Sequence, residues 1–330
     1  VAVIHGSQAD VVANISTSEE PADLDTYAVA LAAHNNGGMV IAQVKSTADE
    51  HFVPARKVTV PGVMIDHIVK CPTQWQSYLA EYDPAISGQV APPDEHPLDA
   101  PAEGIRRLIS GLAVRELKPN MRVNYGFGIP GGISAMADKS LVDSCWQMVE
   151  QGIHNGQLLD GALFGAAKYP QAIVSSLDQF DLFSGGGLDI TFLGMGEMDA
   201  EGNVNVSQLG DTIVGPGGFI DITCGAKKVV FCGTFEAKGL QVCQQGERLQ
   251  IESHGQIPKL VQKVRHITFS GPEAIKRGQE VLYVTERAIF RLTEEGVELA
   301  AIVSGVNLEQ DILQRMQFCP KVDRPALVSL

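Results

Sequence analysis

The fold of this chain is constrained most by an order of patterns. Short apolar runs of strand character alternate with stretches of helical spacing, and they do so on both sides of a seam rich in proline and acid. Before the seam come VAVI, then DLDTYAVALAAHNNGG with helical apolar spacing and a glycine stop, then MVIAQVK and MIDHIV as strands. The seam is SGQVAPPDEHPLDAPAEG, Ser87 to Gly104, whose composition suits an extended linker that does not pack. After it a helix, IRRLISGLAVREL, opens a second and longer series. Alternation of this kind implies an α/β architecture with largely parallel sheets, divided as 1–86, a linker at 87–104, and 105–330.

The two series resemble each other. Asp10 and Asn14 match Asp199 and Asn203, and MVIAQV from Met39 matches KVVFCG from Lys228 at the same offset. His67-Ile68-Val69 is then set against His266-Ile267-Thr268 after a short insertion. The chain therefore reads as a duplicated open α/β unit, an arrangement that tends to place a ligand where the halves meet.

Charge and composition exclude several classes. A formal net charge of -14 argues against nucleic acid as a partner, because phosphate backbones demand a basic surface. No apolar run reaches the length of a membrane span, and no signal peptide is recognisable. The six cysteines lack metal or redox spacing and read as reduced thiols, which places the protein in the cytoplasm. Val1 is not an initiator, and the chain opens directly into VAVIHG, as expected of a piece of a longer protein.

Chemistry concentrates around one carboxylate. The strand-like run ending at Val149 delivers Glu150, followed by Gln151, Gly152, Ile153, His154, Asn155 and Gly156. The bare backbone of Gly152 and Gly156 is expected to leave room for a ligand beside Glu150. Gly126 and Gly128 lie in GFGIPGG, with ISAMADKS after it as a helix; SGGGLD, Ser184 to Asp189, stands ahead of the apolar ITFLGMG, and Gly215, Gly217 and Gly218 lie in GPGGF. Clustered backbone amides can stabilise an oxyanion or cradle a phosphate, although tight turns use the same glycines. The literal GxGxxG from Gly126, with Glu150 beyond it, also fits a nicotinamide dehydrogenase, but Pro130 stands where an amide donor is wanted. A sugar-phosphate isomerase or ligand-sensing module of the same broad fold would use the loops for phosphate. His154 reads as a loop histidine bonded to backbone. Glu286, beside Arg287, reads as a structural ion pair, and Asp189 and Glu197 read as loop anchors.

Taken as an ordered set, GFGIPGG, VEQGIHNG, DLFSGGGLDITFLGMGEMDAEGNVNVSQLG, GPGGFIDI, VVFCGTF and YVTERAIFRL resemble the catalytic half of a single-chain family I CoA-transferase of the acetate or propionate type. The resemblance implies that 1–86 is the end of a CoA-binding half and 105–330 the catalytic half, with Glu150 as nucleophile. It also implies Gly215, Gly217, Gly218, Gly126 and Gly128 as oxyanion and CoA-loop glycines, and Gln151, Gly152, Asn155 and Gly156 as substrate-pocket residues. The chain departs from the pattern at Asn155-Gly156, where relatives usually carry paired glycines, and at Gln147-Met148, where they carry small residues; both bear on substrate choice. The implied partners are acyl-CoA and short-chain carboxylic acids, with coenzyme A a substrate, no metal, no permanently bound cofactor, and a homo-oligomer as working form.

Such chemistry suits a carboxylate. Glutamate is ionised at pH 7 without tuning. Attack on an acyl-CoA carbonyl preserves the thioester energy through an anhydride and then a glutamyl-CoA thioester. Each step passes an oxyanion that a backbone amide can stabilise by roughly 3 kcal/mol.

Overall fold

A computed structural model describes residues 1–48, 51–94 and 103–330. Part of the expected linker, 95–102, lies outside the described residues. In chain order the elements that matter here begin with β1 (Ala2–Asp10), β2 (Ile15–Ser16), α1 (Thr26–Asn35), β3 (Val40–Ala48) and β4 (His67–Lys70). Next come α2 (Ile105–Ala113), β5 (Arg122–Tyr125), α3 (Lys139–Ser144), β6 (Trp146–Val149), β7 (Ile153–His154), β8 (Ala172–Ile173) and α4 (Ser176–Ser184). The chain continues through β9 (Leu188–Gly194), α5 (Phe219–Gly225), β10 (Ala226–Cys232), α6 (Gly271–Lys276), β11 (Glu280–Val284), β12 (Ala288–Thr293), β13 (Gly296–Val303) and β14 (Lys321–Val328).

Two compact units result, and neither is contiguous. The first is Val1–Pro97 with Met148–Asp181, the second Leu98–Gln147 with Leu182–Leu330. The segment from Met148, which the sequence reading gives to the later half, thus packs in the first unit. Backbone bonds hold it there: Tyr169 N–H to Ala85 O at 2.7 Å and Ser176 N–H to Leu24 O at 3.1 Å. A Lys168–Asp83 ion pair at 3.4 Å adds to them.

In the first unit β1, β3 and β4 run parallel, with β2 antiparallel at the edge beside β1. The start of β3 alternates buried and half-buried residues, so Val40, Ala42 and Val44 face one core with Ile4, Ile15, Ala30 and Val60. In the second unit β5, β9, β10 and β11 are parallel; β12 and β13 continue antiparallel, and β14 pairs parallel with β13. The runs TFL in β9, VVFC in β10 and VLYV in β11 are buried on both faces, as central parallel strands require. By contrast β13 alternates strictly, one face in and one partly out. Phe231 is the hub of this core, stacked between Phe219 (5.7 Å) and Tyr283 (5.5 Å) with Phe269 edge-on at 5.0 Å. A buried aromatic of this kind contributes roughly 2 kcal/mol by area alone.

The duplication is visible at atomic level. In the first unit Asp10 Oδ1 accepts from Val12 N–H and Asn14 N–H, and Asn14 Nδ2 donates back to Asp10 Oδ2. Val53 N–H donates to Asp10 Oδ2, and Asn14 Oδ1 accepts from Gly62 N–H. In the second unit Asp199 Oδ1 accepts from Glu201 and Asn203 N–H, Asn203 Nδ2 returns to Asp199 Oδ2, Val264 N–H donates to Asp199 Oδ2, and Asn203 Oδ1 accepts from Gly271 N–H. Burial pushes the Asp10 carboxyl up, but the Asn14, Val12 and Val53 donors outweigh it and hold the group below its ordinary value. The third sequence match needs correction. Ile15 bonds Val60 and Thr59 as Val204 bonds Phe269 and Thr268, so the partner of Thr268 is Thr59, while His67 lies on β4 and His266 in a turn.

Two further readings change. ISAMADKS is not one helix: a 3-10 turn at Ser134–Met136 ends in extended Ala137, and α3 begins only at Lys139. MIDHIV is strand only from His67.

Each clasp is closed by a glycine because no side chain fits. A Cβ on Gly62 would lie 1.8 Å from Val12 O, and one on Gly271 would lie 2.0 Å from Glu201 O. Gly62→Ala and Gly271→Ala should each lower unfolding free energy by about 2–3 kcal/mol in urea titrations. A change under about 0.5 kcal/mol, the usual size for an inert surface site, would show that the clasp yields freely.

Candidate functional site

Glu150 stands where β6 ends. Met148 and Val149 pair antiparallel with His154 and Ile153, and the Gly152 N–H closes the turn onto Val149 O at 3.0 Å. Glu150, Gln151 and Gly152 are therefore a three-residue hairpin loop, with Gly152 at φ +92° in the left-handed position that such loops need. On the other side β7 pairs with β8, and Val174 N–H bonds Gly152 O at 2.9 Å. Val149, Ile153 and Ala167 form a buried cluster beneath the loop, against Ala22, Leu158 and Ile173. The carboxylate is half-buried on a loop fixed from both ends, with Gln151 Nε2 donating to Glu150 Oε1 at 3.4 Å.

The glycines around it do not make room for a ligand. A Cβ on Gly152 would lie 2.0 Å from Val174 O, and one on Gly156 would lie 2.6 Å from Lys168 O, so neighbouring backbone fills both spaces. Asn155 is buried with φ +55°, and its Nδ2 donates to Gln171 Oε1 at 2.9 Å. His154 is a strand residue, not a loop one; burial pushes its imidazole down, opposed by the Gln179 side chain. Space exists elsewhere in this unit. A cavity of about 320 Å³ is lined by Thr17, Glu20, Asp23, Arg56, Lys57 and Thr59, and by Ile173, the partner of Ile153.

The other predicted glycines belong to the second unit and divide by what their N–H groups do. Gly126 N–H donates to Phe192 O at 2.8 Å, and a Cβ there would lie 2.8 Å from Leu193 Cδ2, so Gly126 serves sheet packing and offers no free donor. Gly215 N–H is likewise engaged, by Ser207 O at 3.0 Å. Gly128 (φ +84°) and Gly217 (φ +54°) have open space where a Cβ would go. Neither Gly217 nor Gly218 N–H donates to backbone or side chain among the described residues, and Phe219 behind them is anchored on Phe231. The SGGGLD loop is a helix stop: Gly187 N–H bonds Leu182 O and Gly186 N–H bonds Phe183 O, with Gly186 at φ +84°.

Charged residues that invite a catalytic reading are structural. Asp189 is held well below the usual carboxylate range by Arg122 at 2.9 Å, with Lys227 at 2.8 Å. Glu197 accepts from Asn205 Nδ2 and Arg265 N–H. Glu286 pairs with fully buried Arg287 at 2.7 Å and accepts from Phe235 N–H; Arg287 also meets Glu236 at 3.3 Å and lies 4.5 Å from the Phe235 ring centre. Sequence reading passed over Lys259. Its Nζ lies 3.0 Å from where Gly233 would carry a Cβ, beside Met195, at the carboxyl ends of β10 and β9. Although some of its surface stays exposed, protein surrounds it closely enough that burial pushes the amine down to about 8, against the pull of Glu286. The only hint in the sequence was a lone lysine inside IPKLV. Among the described residues no three His, Cys, Asp or Glu side chains gather to hold a metal, and no helix is long and apolar enough to cross a membrane.

No protein-family model matches the chain. Individual proteins do. It is 36% identical, over 98% of its length, to the acetate CoA-transferase YdiF of Escherichia coli K12, of which it covers 61%. The caffeate CoA-transferase of Acetobacterium woodii is also 36% identical over 98% of the chain, which covers 63% of that protein. The crystal structure of the acyl-CoA transferase YdiF from E. coli O157:H7, a thioester complex with CoA, superimposes with a TM-score of 0.91 at 34% identity, covering 99% of this chain and 61% of that one. Over nearly its whole length the chain is thus similar to CoA-transferases. It spans about three fifths of the length of the curated relatives it matches.

Lys259 has a pH signature. Its folded pKa is depressed below that of an exposed lysine, so the unfolded chain binds more protons above about pH 8 and stability rises through that window. Lys259→Met removes the cost of burying the charge, so the variant should gain on wild type below pH 8, and the difference should shrink between pH 8 and 10 in denaturant titrations. A difference independent of pH sinks the assignment.

Proposed function

We propose that the complete protein moves CoA between a short-chain acyl-CoA and a free carboxylic acid, of the acetate, propionate or butyrate class, through a glutamyl-CoA thioester on Glu150. The observation that carries this reading is 36% identity over 98% of the chain with acetate and caffeate CoA-transferases. The position of Glu150 supports it: a carboxylate on a three-residue loop fixed by β6 and β7 meets the demand for a nucleophile on a rigid element. In the ping-pong cycle the carboxylate attacks the acyl-CoA carbonyl and expels CoA thiolate. The thiolate then attacks the glutamyl carbonyl and expels the first acid, and an acceptor carboxylate later reverses both steps. The Gly217 and Gly218 amides, undonated within their unit, suit the role of oxyanion donors. A cytoplasmic homo-oligomer, with coenzyme A entering only as substrate, is the working form that goes with this reading.

Glu150→Gln in the full-length protein should lower exchange by several orders of magnitude, and Glu150→Asp by about a hundredfold through a displacement of about 1 Å. Borohydride reduction after incubation with acyl-CoA alone, followed by peptide mapping, should find the modification at position 150; another position ends the assignment. Gly217→Val, forced to φ +54°, should cost about a hundredfold in turnover and about 1–3 kcal/mol of unfolding free energy, with the fold retained by circular dichroism. Turnover within threefold of wild type would make GPGGF a turn and nothing more.

A further inference from the structure

Gln151 is placed to act on the nucleophile next to it. Its carboxamide lies against Gly165, where a Cβ would come within 2.5 Å of Gln151 Cδ and 2.9 Å of Nε2; with φ +97°, position 165 is doubly reserved for glycine. From that seat Nε2 donates to Glu150 Oε1, while Oε1 of Gln151 is buried and accepts nothing from the protein. A carboxamide chosen for packing alone would turn its two ends to suit partners on both sides. Here one end is satisfied only by Glu150 and the other by nothing, and the reverse orientation would set an oxygen against the carboxylate. Glu150 therefore dictates how Gln151 points.

We infer that the Gln151 amide is the oxyanion donor for the glutamyl carbonyl, a role that rests on the reading of Glu150 as the nucleophile. In that reading the other carboxylate oxygen of Glu150 attacks the acyl-CoA carbonyl and becomes the bridging oxygen of the anhydride. The oxygen facing Gln151 stays on the glutamyl carbonyl. When CoA thiolate attacks Glu150 Cδ, the C–S bond forms and the carbonyl electron pair moves onto that oxygen. Its return breaks the bond from Cδ to the bridging oxygen and releases the carboxylate of the first acid, with no proton transferred. Attack by the acceptor carboxylate on the thioester puts charge on the same oxygen. A bond of 3.4 Å is long for the resting enzyme, and it shortens as charge develops, which is where a catalytic hydrogen bond contributes.

The test uses Gln151→Met, which keeps length and fills the seat against Gly165 without a donor, in the full-length protein. Both formation of the thioester from acyl-CoA and its discharge by acceptor should slow by about a hundredfold, with KM for acyl-CoA within threefold and a melting temperature no lower than wild type. Gln151→Glu supplies a second readout, and serves alone if the Met variant misfolds. A glutamic acid donates only when protonated, so its rate relative to wild type should climb as pH falls from 8 to 6. Rates within threefold of wild type, a loss confined to KM, or a pH-independent ratio for Gln151→Glu each overturn the role. Borohydride labelling of wild-type Glu150 separates this failure from that of the wider reading: without label at 150 both fall, and with label only the Gln151 role is in question.

Discussion

The structure depends on a carboxylate buried against backbone. Asp10 in one unit and Asp199 in the other each gather amide N–H groups from a tight loop and from a distant segment, with an asparagine four residues on completing the ring. Such loops have no secondary structure to satisfy their polar groups, and a buried unpaired amide costs about 1–3 kcal/mol. The clasp resolves that problem beyond the carboxyl ends of β1 and β9, one in each unit, where the chain turns. The returning segments, Thr59–Gly62 and Thr268–Gly271, are fixed by it, and through them the next strands.

Against that rigid background the region around Glu150 is built by a different device. Two glycines and a left-handed asparagine bring three short strands so close that neighbouring carbonyls occupy the space a side chain would take. Confinement of this kind fixes the loop that presents Glu150. The second unit does the opposite around Arg287, where burial of a guanidinium is compensated by Glu286, Glu236 and an aromatic face. An ion pair of that sort contributes little net stability, yet removing one partner is costly, and it fixes how β12 leaves its turn.

Much of this was legible in the sequence because periodicity reports burial. The parallel strands announce themselves as unbroken apolar runs, and Asp-x-x-x-Asn repeated at a fixed offset revealed the duplication. What failed was the meaning of glycine. Gly126, Gly152, Gly156 and Gly215 look alike in sequence with Gly217, yet the first three are crowded by backbone or a side chain and the fourth has its amide engaged. A glycine can be required by a positive φ, by close packing, or by a ligand, and only neighbours remote in sequence decide which. The same remoteness explains the misplaced match of His67 with His266: identical residues lay near the true register, while nothing local marked Gly62 and Gly271 as the glycines that close the clasp. Lys259 escaped notice because its environment comes from β9 and β10, far away in the chain.

The clasps also make each unit tolerant of growth. Asparagine and closing glycine are 48 residues apart in the first unit and 68 in the second. By loop-closure entropy that extra length costs only about 0.3 kcal/mol. Within the longer excursion lie GPGGF and a β-hairpin from Gln241 to Ser253, grafted between ends that stay pinned. Lineages descended from one ancestral half could therefore lengthen this excursion, and acquire new pockets or specificities, while the sheet beneath it kept its register.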